Sequence, residues 1–227
     1  MNVLDRLKLD VVNCSDFPGN RPYAKADEIG ARVLLFNPDA DQVVDANLII
    51  EAIARGYVTG LRFNCTMGED PVAFANKRSA TIETLGGKTK IAVVMFDTEL
   101  EKNHSEQERL AWQAAMIDRW DRIRYARPTF YDVAPFQDQT QNDYTRMLQR
   151  NQQTGQRLRK ISVQTYVDQP ATMTPLQPLR AAVDYLAARG LSRDDLEPTL
   201  DPKTPLALAG YDSETRGATI FEAGRIP

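Results

Sequence analysis

The sequence predicts an α+β fold: a mixed or antiparallel sheet with a central hairpin, packed by a long helix and followed by an irregular, proline-rich C-terminal region. Three observations predict it. A Gly86-Gly87 pair separates two runs of strand-forming residues. A capping signal at Ser105 opens a segment with helically spaced apolar residues. The elements alternate irregularly, unlike the regular series of a parallel βαβ protein.

The first predicted elements are two strands that flank a helix. Residues 31–36 form an apolar run that stops at Asn37, which predicts a buried strand. Asp41 is the predicted N-cap of the helix, and Gly56 is its predicted end. Residues 57–65 alternate large apolar residues with smaller or polar ones, which predicts a second strand.

The hairpin and the long helix come next. Residues 80–85 and 88–96 are the predicted arms of the hairpin, because a Gly-Gly pair suits the positive φ angles of a tight two-residue turn. The second arm is apolar on both faces at its end, which predicts a central strand. Ser105 and Glu108 form a capping box, and the helix that they begin is predicted to run to about Tyr125.

The second half of the chain changes in composition. Seven of the twenty residues from 137 to 156 are glutamine, and few of the others are apolar. Such a segment is too polar to build a core of its own. We therefore predict an α+β core over 1–136, a polar Gln/Arg-rich segment or arm over 137–160, and a strand–helix part of the same domain over 161–227.

Length, charge and cysteine content narrow the class of protein. The chain has 227 residues, a net charge of −3 and a pI of about 5.3, so it lacks the basic character of a dedicated nucleic-acid binder. Cys14 and Cys65 are too few for a disulfide framework and are predicted to be buried free thiols. The longest strongly apolar run, residues 91–96, falls far short of the roughly 20 residues of a membrane span. We expect no signal peptide, no membrane partner, and a location in the cytoplasm or in a virion assembled there.

Two motifs resemble cofactor sites without completing one. Residues 86–89 read Gly-Gly-Lys-Thr, like the end of a phosphate-binding loop, but Ile82 occupies the place of the first glycine and a strand is predicted to follow. His104, the only histidine, lies four residues before Glu108, and no cluster of histidine or cysteine completes a metal site around them. We expect no cofactor, no metal and no catalytic residue that the sequence identifies.

Two carboxylate clusters lie at predicted element ends. Paired carboxylates perform acid–base chemistry when burial separates their pKa values. Their polar surroundings favour solvated helix and strand ends instead, although the acids of a glycosidase or a magnesium-dependent nuclease do come from distant positions. The clusters comprise Asp97, Glu99 and Glu101, and Asp194, Asp195 and Glu197.

Basic residues gather between the end of the long helix and the next predicted strand, with tyrosines among them. Arginine and aromatic side chains together suit phosphate contact and base stacking, while a solvated face explains the same pattern without a ligand. The candidate residues for nucleic-acid or partner contact are Arg119, Arg122, Arg124, Arg127, Tyr144, Arg146, Arg150, Arg157, Arg159 and Lys160.

The leading functional hypothesis is a non-catalytic structural or assembly component of a large complex, for example a virion or phage tail part. It rests on the lack of a catalytic motif and on the long irregular segments, which suit ordering by a partner. The expected partners are other protein subunits in a homo- or hetero-oligomer. The alternative is a nucleic-acid-binding accessory protein that uses the arginine-rich segment. The second alternative is an enzyme with dispersed carboxylates.

Overall fold

Eight short strands, all parallel, form the centre of the protein. The computed structural model describes residues 11–13, 23–28, 33–39, 44–98, 103–124, 129–133, 144–147, 159–164, 184, 187–188, 196–200 and 219–220. The strands are β1 (Val11–Asn13), β2 (Val33–Phe36), β3 (Val58–Asn64), β4 (Val93–Asp97), β5 (Thr129–Val133), β6 (Arg159–Gln164), β7 (Leu196–Leu200) and β8 (Thr219–Ile220).

Helices lie between the strands. They are α1 (Tyr23–Glu28), α2 (Ala46–Ala54), α3 (Pro71–Thr84), α4 (Gly87–Lys90), α5 (Glu106–Arg124) and α6 (Tyr144–Met147). Through β5, at least one helix therefore follows each strand, which is the connection that parallel neighbours require. Among the described residues, no helix combines the length and the apolar composition needed to cross a membrane.

The sheet closes on itself. Each strand pairs in parallel with the next, and β8 pairs with β1, so the order is a closed barrel from β1 to β8. Going from β6 to β3 through β5 and β4, Ser162 is level with Asn64. Going the other way around the barrel, through β7, β8, β1 and β2, Gln164 is level with Val58. Gln164 lies two residues after Ser162, whereas Val58 lies six residues before Asn64. The register therefore shifts by eight residues around the barrel. Eight parallel strands with that shift define a (β/α)₈ barrel.

Both faces of the described central strands are buried. Alternate residues of β2 and β4 form a small apolar cluster inside the barrel: Val33, Leu35, Val93 and Met95, with Val58 packed against it. The intervening residues face the helices and join a larger core, in which Phe96 of β4 contacts Trp120 of α5 at a ring-centroid distance of 4.9 Å. This double burial explains why these strands read as nearly continuous apolar runs.

The predicted α+β fold with a central hairpin is wrong. Of the predicted first arm, residues 80–84 instead form the end of α3, and Leu85 is the C-cap of that helix. Gly86 and Gly87 do adopt the predicted positive φ angles, 114° and 62°, but they connect α3 to α4 rather than two strands. The β-branched residues Thr81, Ile82 and Thr84 have a local preference for a strand. The Asp70 N-cap and the burial of residues at helical spacing override that preference.

The long helix is confirmed. It begins with the capping box: the Ser105 backbone N–H donates to Glu108 Oε2 at 2.7 Å, and the Glu108 N–H donates to Ser105 Oγ at 3.3 Å. The helix ends at Arg124, one residue before the predicted end. The N-cap of α2 is Asp45, whereas the predicted cap, Asp41, lies outside the described residues.

We predict that Gly60→Ala destabilises the barrel by about 1–3 kcal/mol, the usual cost of overpacking a core. A Cβ at this position would lie 2.6 Å from Leu35 Cδ2 and 2.7 Å from the Val93 carbonyl oxygen. Gly68→Ala is the matched control, since its nearest contact would be the Thr66 hydroxyl at 3.6 Å. Denaturant unfolding measures both variants, and equal midpoints for the two would contradict this packing.

We predict that Trp120→Ala lowers the free energy of unfolding by about 3–5 kcal/mol, the usual cost of removing a buried aromatic ring. The side chain is 1% exposed and its indole N–H donates to Thr129 Oγ1 at 3.2 Å. Val72→Ala, at a residue that is 42% exposed, is the control. Chemical denaturation followed by circular dichroism checks both, and a Trp120 variant as stable as the control would disprove the burial of α5.

We predict that stability falls as pH rises through the range 10 to 12 and that Tyr57 contributes to the fall. Burial, followed by its hydrogen bond to Asp27, raises the pKa of Tyr57 from 10.0 to about 12. In that range the unfolded chain has lost the phenolic proton and the folded chain has kept it, so the folded state loses relative stability with pH. The slope of the unfolding free energy against pH is proportional to the number of extra protons that the folded chain retains. Tyr57→Phe should therefore make this decline less steep, by the equivalent of up to one proton. An unchanged slope would refute the assignment.

Candidate functional site

The carboxyl-terminal ends of β2, β3 and β4 carry the polar side chains of the barrel mouth. In (β/α)₈ enzymes the active site lies at this end of the barrel, built from strand ends and the loops after them. The side chains here, all from described residues, are Asn37, Asp39, Arg62, Asn64, Cys65 and Asp97.

Arg62 and Asp97 form an ion pair inside this mouth. Arg62 Nη2 contacts Asp97 Oδ2, and the side chains are only 6% and 14% exposed. The arginine follows Gly60 by two residues on β3, so it lies above the apolar cluster that fills the lower barrel. A charged pair held out of water beside an apolar floor keeps the Asp97 carboxylate in a fixed position.

Two asparagine amides extend the pair toward the rim. Asn64 Oδ1 accepts from Arg62 Nη1 at 3.1 Å and from Asn37 Nδ2 at 3.4 Å. Asn37, which is 2% exposed, accepts the Asp39 backbone N–H on its own Oδ1 at 3.0 Å. The ends of β2 and β3 are therefore joined by side-chain hydrogen bonds above their last backbone pairs.

Asp39 fixes the loop after β2 to its neighbours. Its Oδ2 accepts the Asn64 backbone N–H at 3.0 Å, and its Oδ1 lies 3.2 Å from Arg78 Nη2 on α3. The Arg78 guanidinium carbon lies 4.3 Å from the centroid of the Phe74 ring, and Arg78 Nη1 lies 3.7 Å from Glu69 Oε2. Burial raises the pKa of Asp39 above 3.8, against the opposing effect of Arg78.

The strand register continues this polar level around the barrel. Asn64 is level with Asp97, Asp97 with Asp132, Asp132 with Ser162, and Ser162 with Glu197. Five neighbouring strands therefore each place a polar residue at one register level.

Cys65 is not an activated nucleophile. Its side chain is buried and its thiol is free, as predicted for it, and burial raises the pKa of the thiol well above 9.0. A nucleophilic cysteine requires the opposite shift. Cys14 lies outside the described residues, and the described residues contain no group of three or more His, Cys, Asp or Glu that could hold a metal.

Asp97 was expected to be a solvated strand end, and the structure corrects this. Its carboxylate is paired with Arg62 and is largely buried in the barrel mouth. The other members of its cluster, Glu99 and Glu101, lie outside the described residues. Of the second cluster, Glu197 lies in β7, and Asp194 and Asp195 are not described.

Two members of the predicted arginine-rich site, Arg119 and Arg146, have described contacts. Arg119 on α5 donates to Asn76 Oδ1 on α3 at 2.8 Å, and Arg146 on α6 pairs with Asp118 on α5, so both connect helices. Arg122 is exposed on α5, and Arg124 is the last residue of that helix. Tyr144 begins α6, while Arg159 and Lys160 begin β6. The remaining members, Arg127, Arg150 and Arg157, lie outside the described residues. Partner contact through this set stays a prediction.

Sequence reasoning missed Arg62 and Asn64, although a signal was present. Both lie within a predicted strand and alternate with Leu61 and Phe63. In a half-exposed sheet such polar residues face water, whereas in a closed barrel they face the interior. The face of the strand was therefore predictable from alternation, but its surroundings were not.

The fold is similar to those of several solved chitinases and of a mannanase. A glycoside hydrolase family 18 chitinase from Pseudoalteromonas aurantia superposes with a TM-score of 0.63 at 10% identity, covering 96% of this chain and 95% of that one. The catalytic domain of a mannanase from Streptomyces sp. SirexAA-E gives 0.62 at 12%, covering 94% and 74%. A family 18 chitinase from Crocus vernus gives 0.59 at 7%, covering 94% and 92%. No protein-family model and no curated protein matches the chain in sequence.

These identities are low, so the likeness is one of fold. It nevertheless contradicts the hypothesis of a non-catalytic structural or assembly component such as a virion or phage tail part, because the solved structures with this fold are chitinases and a mannanase. The likeness does not test the nucleic-acid-binding alternative, which stays a prediction. The second alternative, an enzyme with dispersed carboxylates, also stays a prediction.

Proposed function

We propose that this chain is a glycoside hydrolase that cleaves a neutral or N-acetylated polysaccharide at the carboxyl-terminal mouth of its barrel. One observation carries the proposal: the Asp97 carboxylate ends β4 inside the mouth, where Arg62 holds it. Hydrolysis of a glycosidic bond passes through an oxocarbenium-like transition state, and carboxyl groups fixed beside the bond are what this chemistry requires.

Asp97 supplies the fixed negative charge. Its partner Arg62 holds this carboxylate through a buried ion pair between charged groups. An anion that is already oriented, beside an apolar floor and with little water, stabilises the positive charge that develops on the sugar. The same carboxylate is placed to take a proton from a group on the substrate or from a water molecule.

A second carboxyl group completes the chemistry in most glycoside hydrolases. We assign it to Asp132, which is level with Asp97 on the adjacent strand. Neighbouring strands lie about 4.8 Å apart, so the backbone positions of Asp97 and Asp132 are adjacent at one register level. In the substrate-assisted route of family 18 enzymes, a group of the sugar replaces the protein nucleophile, and one carboxyl pair then suffices for proton transfer.

Chitin oligosaccharides are the first substrates to test, since family 18 chitinases and this chain cover each other almost completely in the superposition. Mannan oligosaccharides are the second, because the mannanase shares the same barrel. Release of reducing ends from either substrate by the wild-type protein would support glycoside hydrolysis. Failure on both polymers and on their soluble oligomers would overturn it.

We predict that Asp97→Asn lowers kcat by about 10²–10⁴-fold, the usual contribution of a positioned acid–base group. Reducing-end release from soluble oligosaccharides measures the loss. Asp118→Asn is the matched control: it removes the carboxylate that pairs with Arg146 between helices, and it should leave kcat unchanged.

Loss of the Asp97 charge also removes the carboxylate of a buried ion pair, which destabilises the fold. Circular dichroism and the unfolding midpoint of the variant must therefore show a folded protein at the assay temperature. A folded Asp97 variant with wild-type kcat would remove this residue from the mechanism.

A further inference from the structure

Both oxygens of the Asp39 carboxylate contact donors on other elements. Oδ2 accepts the backbone N–H of Asn64 at 3.0 Å, and Oδ1 lies 3.2 Å from Arg78 Nη2 on α3. β3 ends at Asn64, beyond its last pairing with β2, which joins Leu61 to Phe36. The Asp39 carboxylate therefore occupies the place of a strand partner at the end of β3 and connects that end to α3.

Arg78 is itself held in a fixed position. Its side chain is 7% exposed, and its guanidinium carbon lies 4.3 Å from the centroid of the Phe74 ring and 5.7 Å from that of Phe63. A second carboxylate, that of Glu69, lies 3.7 Å from Arg78 Nη1. An arginine that packs on aromatic rings and faces two carboxylates has little freedom to move, because its planar guanidinium fits few arrangements of partners.

The end of β3 leads in turn to Asp97. The Asn64 side chain accepts from Arg62 Nη1 at 3.1 Å, and Arg62 Nη2 pairs with the Asp97 carboxylate. The next backbone N–H, that of Cys65, donates to the Asp97 carbonyl oxygen at 2.9 Å. A displacement of Asn64 would therefore move groups that contact both the side chain and the backbone of Asp97.

We propose that Asp39 is a positioning residue: it transmits the fixed position of Arg78 to the end of β3 and so to the Asp97 carboxylate. The inference rests on the proposed glycoside hydrolase function and adds to it a residue that acts without touching the substrate. A misplacement of about 1 Å, caused by a change away from the reacting bond, lowers a rate by about 100-fold. A defect at Asp39 should therefore lower kcat and leave KM unchanged.

Acid should weaken this contact. A protonated carboxyl group carries an O–H donor in place of one acceptor, so Asp39 would then present a donor to another donor. Among the described residues, the charged and titratable groups that face Asp39 are Arg78, Lys77, Glu69 and the Cys65 thiol. Burial raises the pKa of Asp39 above 3.8 against the opposing effect of Arg78, so the ionised form is lost at a higher pH than in an exposed aspartate. The wild-type kcat should accordingly fall on acidification through that pKa, and a variant that cannot take up this proton should lack that part of the fall.

Two substitutions of unchanged shape separate positioning from simple stabilisation. Asp39→Asn replaces one acceptor with an NH₂ group, which must face either the Asn64 N–H or Arg78. Glu69→Gln is the matched control: it makes the same change in the other carboxylate beside Arg78 and leaves the Asn64 N–H with its acceptor. Asp39→Ala, which removes both acceptors without adding a donor, replaces Asp39→Asn if that variant does not fold.

Two measurements are made on each folded variant. The first is kcat and KM across the acidic pH range, on the chitin or mannan oligosaccharide that the wild-type protein hydrolyses. The second needs no substrate: it is NMR hydrogen exchange of the Cys65 amide, whose acceptor is the Asp97 carbonyl oxygen. We expect the Asp39 variant to lose about 10- to 100-fold in kcat with KM within a factor of about two, to lack part of the acid limb, and to exchange the Cys65 amide about tenfold faster. Glu69→Gln should match the wild type in all three respects.

The outcomes separate this inference from the proposed function. Wild-type hydrolysis combined with an Asp39 variant that behaves like Glu69→Gln would overturn the role of Asp39 and leave the glycoside hydrolase proposal standing. A lower kcat with unchanged Cys65 exchange would contradict transmission through the end of β3. Absence of wild-type hydrolysis would overturn the function alone if Cys65 exchange still rose in the Asp39 variant, and would overturn both if it did not. Failure of both Asp39 variants to fold would show that Asp39 stabilises the fold as a whole, which also contradicts the proposal.

Discussion

The buried ion pair between Arg62 and Asp97 is the constraint on which the barrel mouth depends. Two charges removed from water carry a large desolvation cost, and only close, well-directed contact between them offsets it. The pair therefore requires β3 and β4 to keep one register, with Asn64 level with Asp97. A shift of β4 by one residue against β3 would send Asp97 to the helix-facing side, where Phe63 and Phe96 pack, and would leave Arg62 without this carboxylate.

That register depends in turn on the packing below it. Gly60 admits Leu35 and Val93 close to the β3 backbone, and these side chains form a dry floor beneath the arginine. Water is thereby excluded from one side of the ion pair, and the guanidinium directs donors toward Asp97 and Asn64. The apolar lower barrel and the polar mouth are thus parts of one arrangement, in which the first orients the second.

The sequence predicts individual elements of this structure better than it predicts their assembly. β2, β3, β4 and α5 are evident from apolar runs and from the Ser105–Glu108 capping box, because these signals are local. The parallel closure is not local: β1 and β8, which complete the ring, have only three and two residues. The hairpin was predicted wrongly for the same reason. Residues 80–84 are helical because of tertiary packing, which their β-branched sequence does not reveal.

The charges of the described mouth bear on what it can recognise. Arg62 is matched by Asp97, and Arg78 on α3 is matched by Asp39 and Glu69, so the described arginines near the rim face carboxylates of the same chain. A strongly charged substrate would have to break one of these partly buried pairs, which costs more than a surface pair would. Uncharged groups such as the Asn64 amide make no such demand. The arginines described in this part of the mouth are thus paired within the chain, which supports the proposal of a neutral or N-acetylated substrate recognised through hydrogen bonds.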